Sequence, residues 1–186
     1  MEKIVILTAS VRTGRKSPRV SKYFQRYLKE HHAIDAEMLD LREYDFPLFD
    51  ERLRYQKNPI PKALEFSERI KHAEGIIIVT PEYNGGYPAS LKNAVDLLYD
   101  EWRKKPLVIS TVSEGAFAGT QVITSLQFSL WKIGALTVPV MFPVPNIEKS
   151  FNEEGQPSDK EGTDKGAKRF IDELLFYVKV LKNAAQ

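Results

Sequence analysis

Cysteine is absent from the 186 residues of this chain. Its absence excludes a disulfide scaffold, cysteine-ligated zinc, iron–sulfur clusters and a thiol nucleophile. A large excess of charge of one sign is also absent, since the chain has 27 Lys and Arg and 25 Asp and Glu. The chain therefore has no overall attraction for nucleic acid or for a membrane surface. No apolar run approaches the roughly 20 residues that a membrane-spanning helix needs. We therefore expect a soluble, reduced, cytoplasmic protein whose chemistry comes from a cofactor or from ordinary polar side chains.

Short apolar runs alternate with helical patterns along the chain. Such runs, without polar alternation, are typical of strands buried on both faces of a sheet. The five predicted strands are residues 4–7, 36–41, 76–79, 107–109 and 136–142. The first of them predicts that the chain opens with a strand rather than a signal peptide, and Pro139 favours an edge position for the last. Five βα units predict one domain, residues 1–186, with a doubly wound α/β fold around a parallel sheet.

The segments between the predicted strands show helical spacing of apolar residues. Pro18 suits the first turn of the first helix, where a missing N–H costs little. Gly75 is predicted to stop the helix that precedes the third strand. Residues 45–61 contain three prolines and are predicted to form a long excursion, and residues 143–165 are predicted to form an exposed loop.

The first candidate site is the loop of residues 8–17, because ligands of an open parallel sheet lie outside the carboxyl ends of its strands. It places hydroxyls, a glycine and cations before a helix N-terminus, a pattern that favours a bound anion. The four cations between residues 12 and 19, with no acid among them, are Arg12, Arg15, Lys16 and Arg19. The loop lacks the glycines of a P-loop and the GxGxxG fingerprint. Phosphate binding is the leading interpretation, and an ordinary polar loop is the alternative.

The second candidate site is the loop of residues 80–88, which contains two prolines, two glycines and two tyrosines. The prolines fix its ends, and the glycines allow positive φ or close approach of the backbone to a ligand. Such a loop could present N–H groups and an aromatic wall to a planar heterocycle. From composition alone, an ordinary Pro/Gly turn is nearly as well supported as a ligand-binding loop.

The motif Pro81-Glu82-Tyr83-Asn84, with Pro88, Leu-Lys-Asn-Ala-Val-Asp at 91–96 and Glu101-Trp102, resembles the signature of the NADPH-dependent FMN reductase family. The resemblance runs from about residue 3 to 140. It implies a flavodoxin-like fold with strand order 2-1-3-4-5, and FMN and NADPH as cofactors, with NADH possible. The family includes quinone, azo-dye and chromate reductases, which implies an enzyme passing two electrons to a quinone, azo compound, free flavin or metal oxyanion.

The same resemblance implies cofactor-binding residues in three loops: Ser10, Arg12 and Ser17 for the phosphate; Pro81, Glu82, Tyr83, Asn84 and Gly85 for the isoalloxazine; and Ser113 and Gly115 on its opposite side. No metal ligand and no catalytic side chain is implied, because hydride chemistry takes place at the flavin N5. Two departures from the family pattern are Ala9 and Ala118, which stand where the family usually has glycine. Arg15 and Lys16 are candidates for the 2′-phosphate of NADPH.

The resemblance also implies a homodimer or homotetramer with flavin sites near the subunit interface, and Tyr87, Tyr99 and Trp102 are candidate interface aromatics. Trp102 and Trp131 are predicted to be core or interface aromatics rather than residues that stack on a cofactor. An open surface over the flavin, used in turn by donor and acceptor, predicts ping-pong kinetics.

One alternative function is a flavodoxin-type electron carrier without NADPH reductase activity, although such carriers are usually strongly acidic. Another is a homologue that has lost FMN. Glu82 could be a general acid, or a loop carboxylate that orients backbone or a subunit contact.

Overall fold

The computed structural model describes residues 2–184, and its centre is a five-stranded parallel sheet in the order β2-β1-β3-β4-β5. The strands are β1 (Ile4–Thr8), β2 (Glu37–Asp40), β3 (Gly75–Pro81), β4 (Pro106–Val112) and β5 (Leu136–Val144). This order confirms the predicted flavodoxin-like arrangement. β1 lies between β2 and β3, so the order reverses beside it, and that reversal opens a crevice at the carboxyl ends of the strands.

Seven α-helices connect and cover these strands in the described part of the chain. They are α1 (Ser17–His32), α2 (Leu41–Tyr44), α3 (Pro61–His72), α4 (Ala89–Leu97), α5 (Val122–Lys132), α6 (Ile147–Ser150) and α7 (Lys160–Ala184). Helices α1 and α7 pack on one face of the sheet, and α3, α4 and α5 pack on the other. Among residues 2–184, no helix is both long enough and apolar enough to span a bilayer.

The apolar runs become strands because both of their faces are buried. In β1, Val5 and Leu7 enter the core beneath α3 and α4, while Ile4 and Ile6 enter the core beneath α1 and α7. All four side chains are at most 3% exposed. Pro139 lies in β5, which pairs with β4 on one side and is an edge of the sheet, as predicted.

The prediction that Gly75 ends a helix is wrong. Helix α3 ends at His72, and the Ala73 N–H bonds to the carbonyls of its last turn. Gly75 is instead the first residue of β3, where a Cβ atom would lie 2.7 Å from Cγ2 of Val178. A glycine is required there because α7 passes directly over the strand.

The prediction of an exposed loop over 143–165 is wrong in part. β5 extends to Val144, α6 follows it, and α7 already begins at Lys160. Ile147 and Phe151 are buried against the core beneath α1 and α7, so this segment covers one end of the sheet. Residues 45–61 do form a long excursion, interrupted by a single 3₁₀ turn at Leu53–Tyr55.

Candidate functional site

A cleft of about 230 Å³ lies at the carboxyl ends of β1, β3 and β4, and most of the predicted site residues line it. Seven of the ten predicted residues line it: Ser10, Arg12, Ser17, Pro81, Glu82, Tyr83 and Ser113. Asn84, Gly85 and Gly115 lie outside its lining. Sequence reasoning missed Glu114 and Ile147, which also line the cleft. A larger groove of about 1040 Å³ runs along the amino-terminal side of β1 and β2, away from all ten residues.

The first wall of the cleft is the loop between β1 and α1. The Ala9 N–H continues the strand by bonding to the Val79 carbonyl, and the Ser90 hydroxyl donates to the Ala9 carbonyl. Helix α1 then begins at Ser17 with no side chain capping it and no acid in its first turn. Within residues 2–184, the N–H groups of Gly14, Lys16 and Ser17 have no acceptor. These free donors at the positive end of a 16-residue helix are suited to an anion.

Three of the four cations in this loop region are paired with acids from distant parts of the chain. Arg15 pairs with Asp40, Lys16 with Glu114 and Glu148, and Arg19 with Glu153. The excess of positive charge predicted from residues 12–19 is therefore largely neutralised in the fold. Arg12 is exposed and has no carboxylate within 4.0 Å among the described residues, so its guanidinium remains available to a ligand.

Lys16 connects two walls of the cleft. Its ammonium group bonds to Glu114 at 2.7 Å, from the loop after β4, and to Glu148 in α6. The hydrogen bond with Glu114 raises the pKa of Lys16, and it lowers the pKa of the Glu114 carboxyl. Both groups are consequently charged at neutral pH. Lys16 and Arg15, the candidates for a 2′-phosphate contact, already have carboxylate partners.

Ser10 joins the first wall to the second. Its side chain is 1% exposed, and its hydroxyl lies 2.8 Å from the Tyr83 hydroxyl. Its carbonyl accepts a hydrogen bond from Arg15 Nη1 at 2.7 Å. The two loops predicted to bind phosphate and isoalloxazine are thus connected by one direct hydrogen bond, between Ser10 and Tyr83.

The second wall ends in a tight turn at Tyr83–Gly86. The N–H and carbonyl groups of Tyr83 and Gly86 exchange two hydrogen bonds, of 2.8 and 3.0 Å. Asn84 and Gly85 both have positive φ, 52° and 78°, which is the geometry of a type I′ turn and explains the Asn-Gly sequence. At the exposed tip of this turn, the N–H groups of Asn84 and Gly85 have no acceptor within the described chain and are free to donate.

Glu82 orients backbone, which favours the second interpretation of that residue. Its Oε2 accepts a hydrogen bond from the Gln121 N–H at 3.1 Å, beside the N-terminus of α5. Gly119, with φ of 67°, approaches so closely that a Cβ atom there would lie 3.1 Å from Cβ of Glu82. Glu82 therefore holds the second loop against the third.

The third wall is the loop after β4. The Ser113 N–H bonds to the Val144 carbonyl, and the Ser113 hydroxyl accepts a bond from the Gly115 N–H at 2.9 Å. Ala118, where the family pattern has glycine, has φ of 55°. The backbone thus keeps the left-handed conformation that glycine would adopt more easily. The departure at Ala118 therefore places a residue with a Cβ atom in a strained backbone conformation.

No group of three or more His, Asp or Glu is arranged to hold a metal ion in the described chain. Trp102 is fully buried, and its Nε1 donates to the Val95 carbonyl. It is a core residue, and the prediction that it contributes to an interface does not fit this position.

Comparisons with known proteins identify the family of this chain. The family model described as NADPH-dependent FMN reductase matches residues 2–149. The chain is 36% identical over 131 residues to the NAD(P)H-dependent FMN reductase C4B3.06c of Schizosaccharomyces pombe, covering 67% of this chain and 64% of that protein. It is 32% identical over 197 residues to the NAD(P)H-dependent FMN reductase ntnL of Nectria sp, covering 97% of both.

The fold is also shared with a solved flavoenzyme. FerB from Paracoccus denitrificans, a NAD(P)H:(acceptor) oxidoreductase, superposes with a TM-score of 0.77 at 22% identity, covering 96% of this chain and 98% of that one. At this identity the superposition shows the fold, while the family match over 148 residues, from 2 to 149, extends to all three walls of the cleft. The chain belongs to the NADPH-dependent FMN reductase family.

Proposed function

We propose that this chain, as an enzyme of that family, binds FMN in the cleft and passes two electrons from NAD(P)H to a small acceptor. The acceptor classes implied by the family are a quinone, an azo compound, free flavin or a metal oxyanion. One observation carries the proposal: Arg12, which has no carboxylate partner among residues 2–184, and the free N–H groups at and before the start of α1 share a cleft with Pro81, Glu82 and Tyr83. The anion site and the loop proposed to hold a heterocycle therefore lie in one cleft, and FMN carries both a phosphate and a heterocycle.

The residues present fit the phosphate of FMN. Arg12 offers a guanidinium that can bind a phosphate bidentately, and the N-terminus of α1 offers N–H groups and the positive end of the helix dipole. A Tyr83 hydroxyl that donates to Ser10 leaves the Ser10 hydroxyl free to donate to the phosphate. Ser17, at the start of α1, adds a second hydroxyl.

The isoalloxazine would lie against the second loop. Pro81, Glu82 and Tyr83 line that side, and the N–H groups of Asn84 and Gly85 at the turn would donate to its polar edge. Ser113 and Gly115 would close the opposite side. When bound, FMN supplies the redox chemistry by accepting hydride from NAD(P)H. The chain's part is to bind and orient, with fixed N–H donors placed for developing negative charge.

Donor and acceptor are proposed to use one open site in turn. This arrangement predicts ping-pong kinetics, because the donor product leaves before the acceptor binds. Initial rates measured at several fixed quinone concentrations should then give parallel lines in double-reciprocal plots against NADPH. Intersecting lines would contradict a shared site.

The whole chain, residues 1–186, is proposed to be one domain that assembles as a homodimer or homotetramer. Phe128 and Trp131, on α5, are 62% and 65% exposed and would be covered by a second copy. Ser129, on the same helix, bonds to the Tyr87 hydroxyl at 2.8 Å, so this surface adjoins the loop proposed to bind the flavin. Sedimentation of the Trp131→Glu variant should show dissociation. An unchanged oligomer would place the interface elsewhere.

The direct test of the function is NADPH oxidation by purified, FMN-reconstituted protein with and without a quinone, and with no partner reductase added. Quinone-dependent oxidation supports the proposal. A protein that binds FMN but does not oxidise NADPH would instead be a carrier of the flavodoxin type. A protein that does not bind added FMN would be a homologue that has lost the cofactor. Free FMN without protein is the control.

A further inference from the structure

Arg15 connects the phosphate loop to the end of β2. Its Nη2 donates to Asp40 Oδ2 at 2.6 Å, its Nη1 donates to Asp40 Oδ1, and Nη1 also donates to the Ser10 carbonyl. The Arg15 and Asp40 side chains are 13% and 12% exposed, so the bidentate pair is largely shielded from water. Such a pair is stronger and more directional than an exposed ion pair.

Asp40 is itself held in place, because its Oδ1 also accepts the Arg42 N–H at 3.0 Å and caps α2. The connections therefore run from Asp40 to Arg15, from Arg15 to the Ser10 carbonyl, and from the Ser10 hydroxyl to Tyr83. The phosphate loop is thus fixed to the end of β2 through the Ser10 carbonyl, whereas the contact with Tyr83 is made separately by the Ser10 hydroxyl.

We propose that Arg15 and Asp40 are positioning residues for the phosphate loop rather than phosphate ligands. Asp40 occupies the guanidinium fork of Arg15, and the remaining hydrogen bond of Arg15 sets the orientation of Ser10 and of the N–H groups that follow it. The proposal rests on the proposed function, since it assumes that this loop receives the phosphate of FMN.

The sign of one substitution separates positioning from simple electrostatics. Asp40 is a negative charge beside an anion site, so its neutralisation should tighten phosphate binding if only charge mattered. The substitution should tighten phosphate binding further if Arg15, released from Asp40, then reached the phosphate. If the pair positions the loop, the same substitution must weaken binding.

The experiment compares the dissociation constants of FMN and riboflavin, measured by quenching of flavin fluorescence, for the full-length protein and Asp40→Asn. Asparagine keeps the shape of the side chain and can still accept the Arg42 N–H. The FMN dissociation constant is expected to rise about tenfold, the equivalent of one charge-assisted hydrogen bond. That of riboflavin, which lacks the phosphate, should stay the same, whereas general damage to the fold would weaken both flavins equally.

Arg15→Lys is the second variant and keeps the proposal open to refutation if Asp40→Asn does not fold. Lysine keeps the positive charge and can bind a phosphate, but it cannot form the bidentate fork. A loss of FMN affinity comparable to that in Asp40→Asn, with riboflavin unaffected, supports the proposal. Retained FMN affinity in Arg15→Lys contradicts it.

Asp100→Asn is the matched control, because Asp100 pairs with Arg54 on the exposed surface, and it should bind both flavins like the unmodified protein. Tighter FMN binding in Asp40→Asn, or equal loss of both flavins, would overturn the positioning role. The unmodified protein tests the proposed function separately. If it does not bind FMN more tightly than riboflavin, the phosphate site itself is wrong, whatever the variants do.

Discussion

Replacing Arg12 by alanine should weaken FMN binding, because Arg12 is the one cation of residues 12–19 without a carboxylate partner in the described chain. A hydrogen bond to a charged group contributes about 1.5–3 kcal/mol. Arg12 is exposed, so screening by water and salt reduces this to about 1–2 kcal/mol. The FMN dissociation constant should therefore rise by a factor of about 5 to 30.

The assay is fluorescence titration with FMN, and with riboflavin as the reference that lacks a phosphate. Two matched variants share the loss of one positive charge. Arg19→Ala removes a cation that Glu153 already neutralises, and Lys104→Ala removes one before β4, at the opposite end of the sheet. Both should bind FMN almost as well as the unmodified protein. Equal FMN dissociation constants for Arg12→Ala and Lys104→Ala would refute the assignment of the phosphate site.

Two further predictions concern stability and are tested by urea denaturation. The buried Thr111 hydroxyl has no hydrogen-bond partner in the described chain, so Thr111→Val should raise the free energy of unfolding by about 1 kcal/mol. Thr8→Val should lower it by about 1–3 kcal/mol, because the equally buried Thr8 hydroxyl bonds to Ser21 at 2.7 Å; a stability loss in both variants would contradict the reasoning. Ala118→Gly should stabilise by up to about 1 kcal/mol by relieving positive φ, whereas Ala116→Gly, in the same loop but without positive φ, should not; identical effects would refute this explanation.

The strands and their order could be predicted because the relevant signals are local. The run at 76–79 has no polar residue, and a strand buried on both faces is the simplest structure for such a sequence. The edge position of β5 could be predicted because Pro139 lacks an N–H for the ladder. Gly75 was misassigned because the requirement for glycine comes from Val178, about 100 residues away, and no local pattern contains that contact.

Much of the candidate site could be predicted because parallel strands bring their following loops to one edge. Ser10, Tyr83 and Ser113 follow three different strands, and the structure places all three around one cleft. The electrostatics could not be predicted in this way. Residues 12–19 contain no acid, yet Asp40 reaches them from the end of β2 and Glu114 from the loop after β4. Ion pairs between distant segments leave no periodic signal in a sequence.

The same limit applies to Ile147 and Phe151. They lie among charged residues, which favours a loop, and only their burial against α1 and α7 shows that the segment belongs to the core. The exposure of Phe128 and Trp131 is the opposite case, since apolar residues on a helix ordinarily predict burial. In this chain both are exposed, and the proposed homo-oligomer would cover them.

This cleft is proposed to support electron transfer from NAD(P)H to a small acceptor without a second protein. The most direct measurement is the visible absorbance of FMN-reconstituted protein on anaerobic addition of one equivalent of NADPH, followed by one equivalent of quinone. We predict that the oxidised-flavin absorbance falls with NADPH and returns with quinone. Absorbance that stays unchanged when NADPH is added would contradict the account.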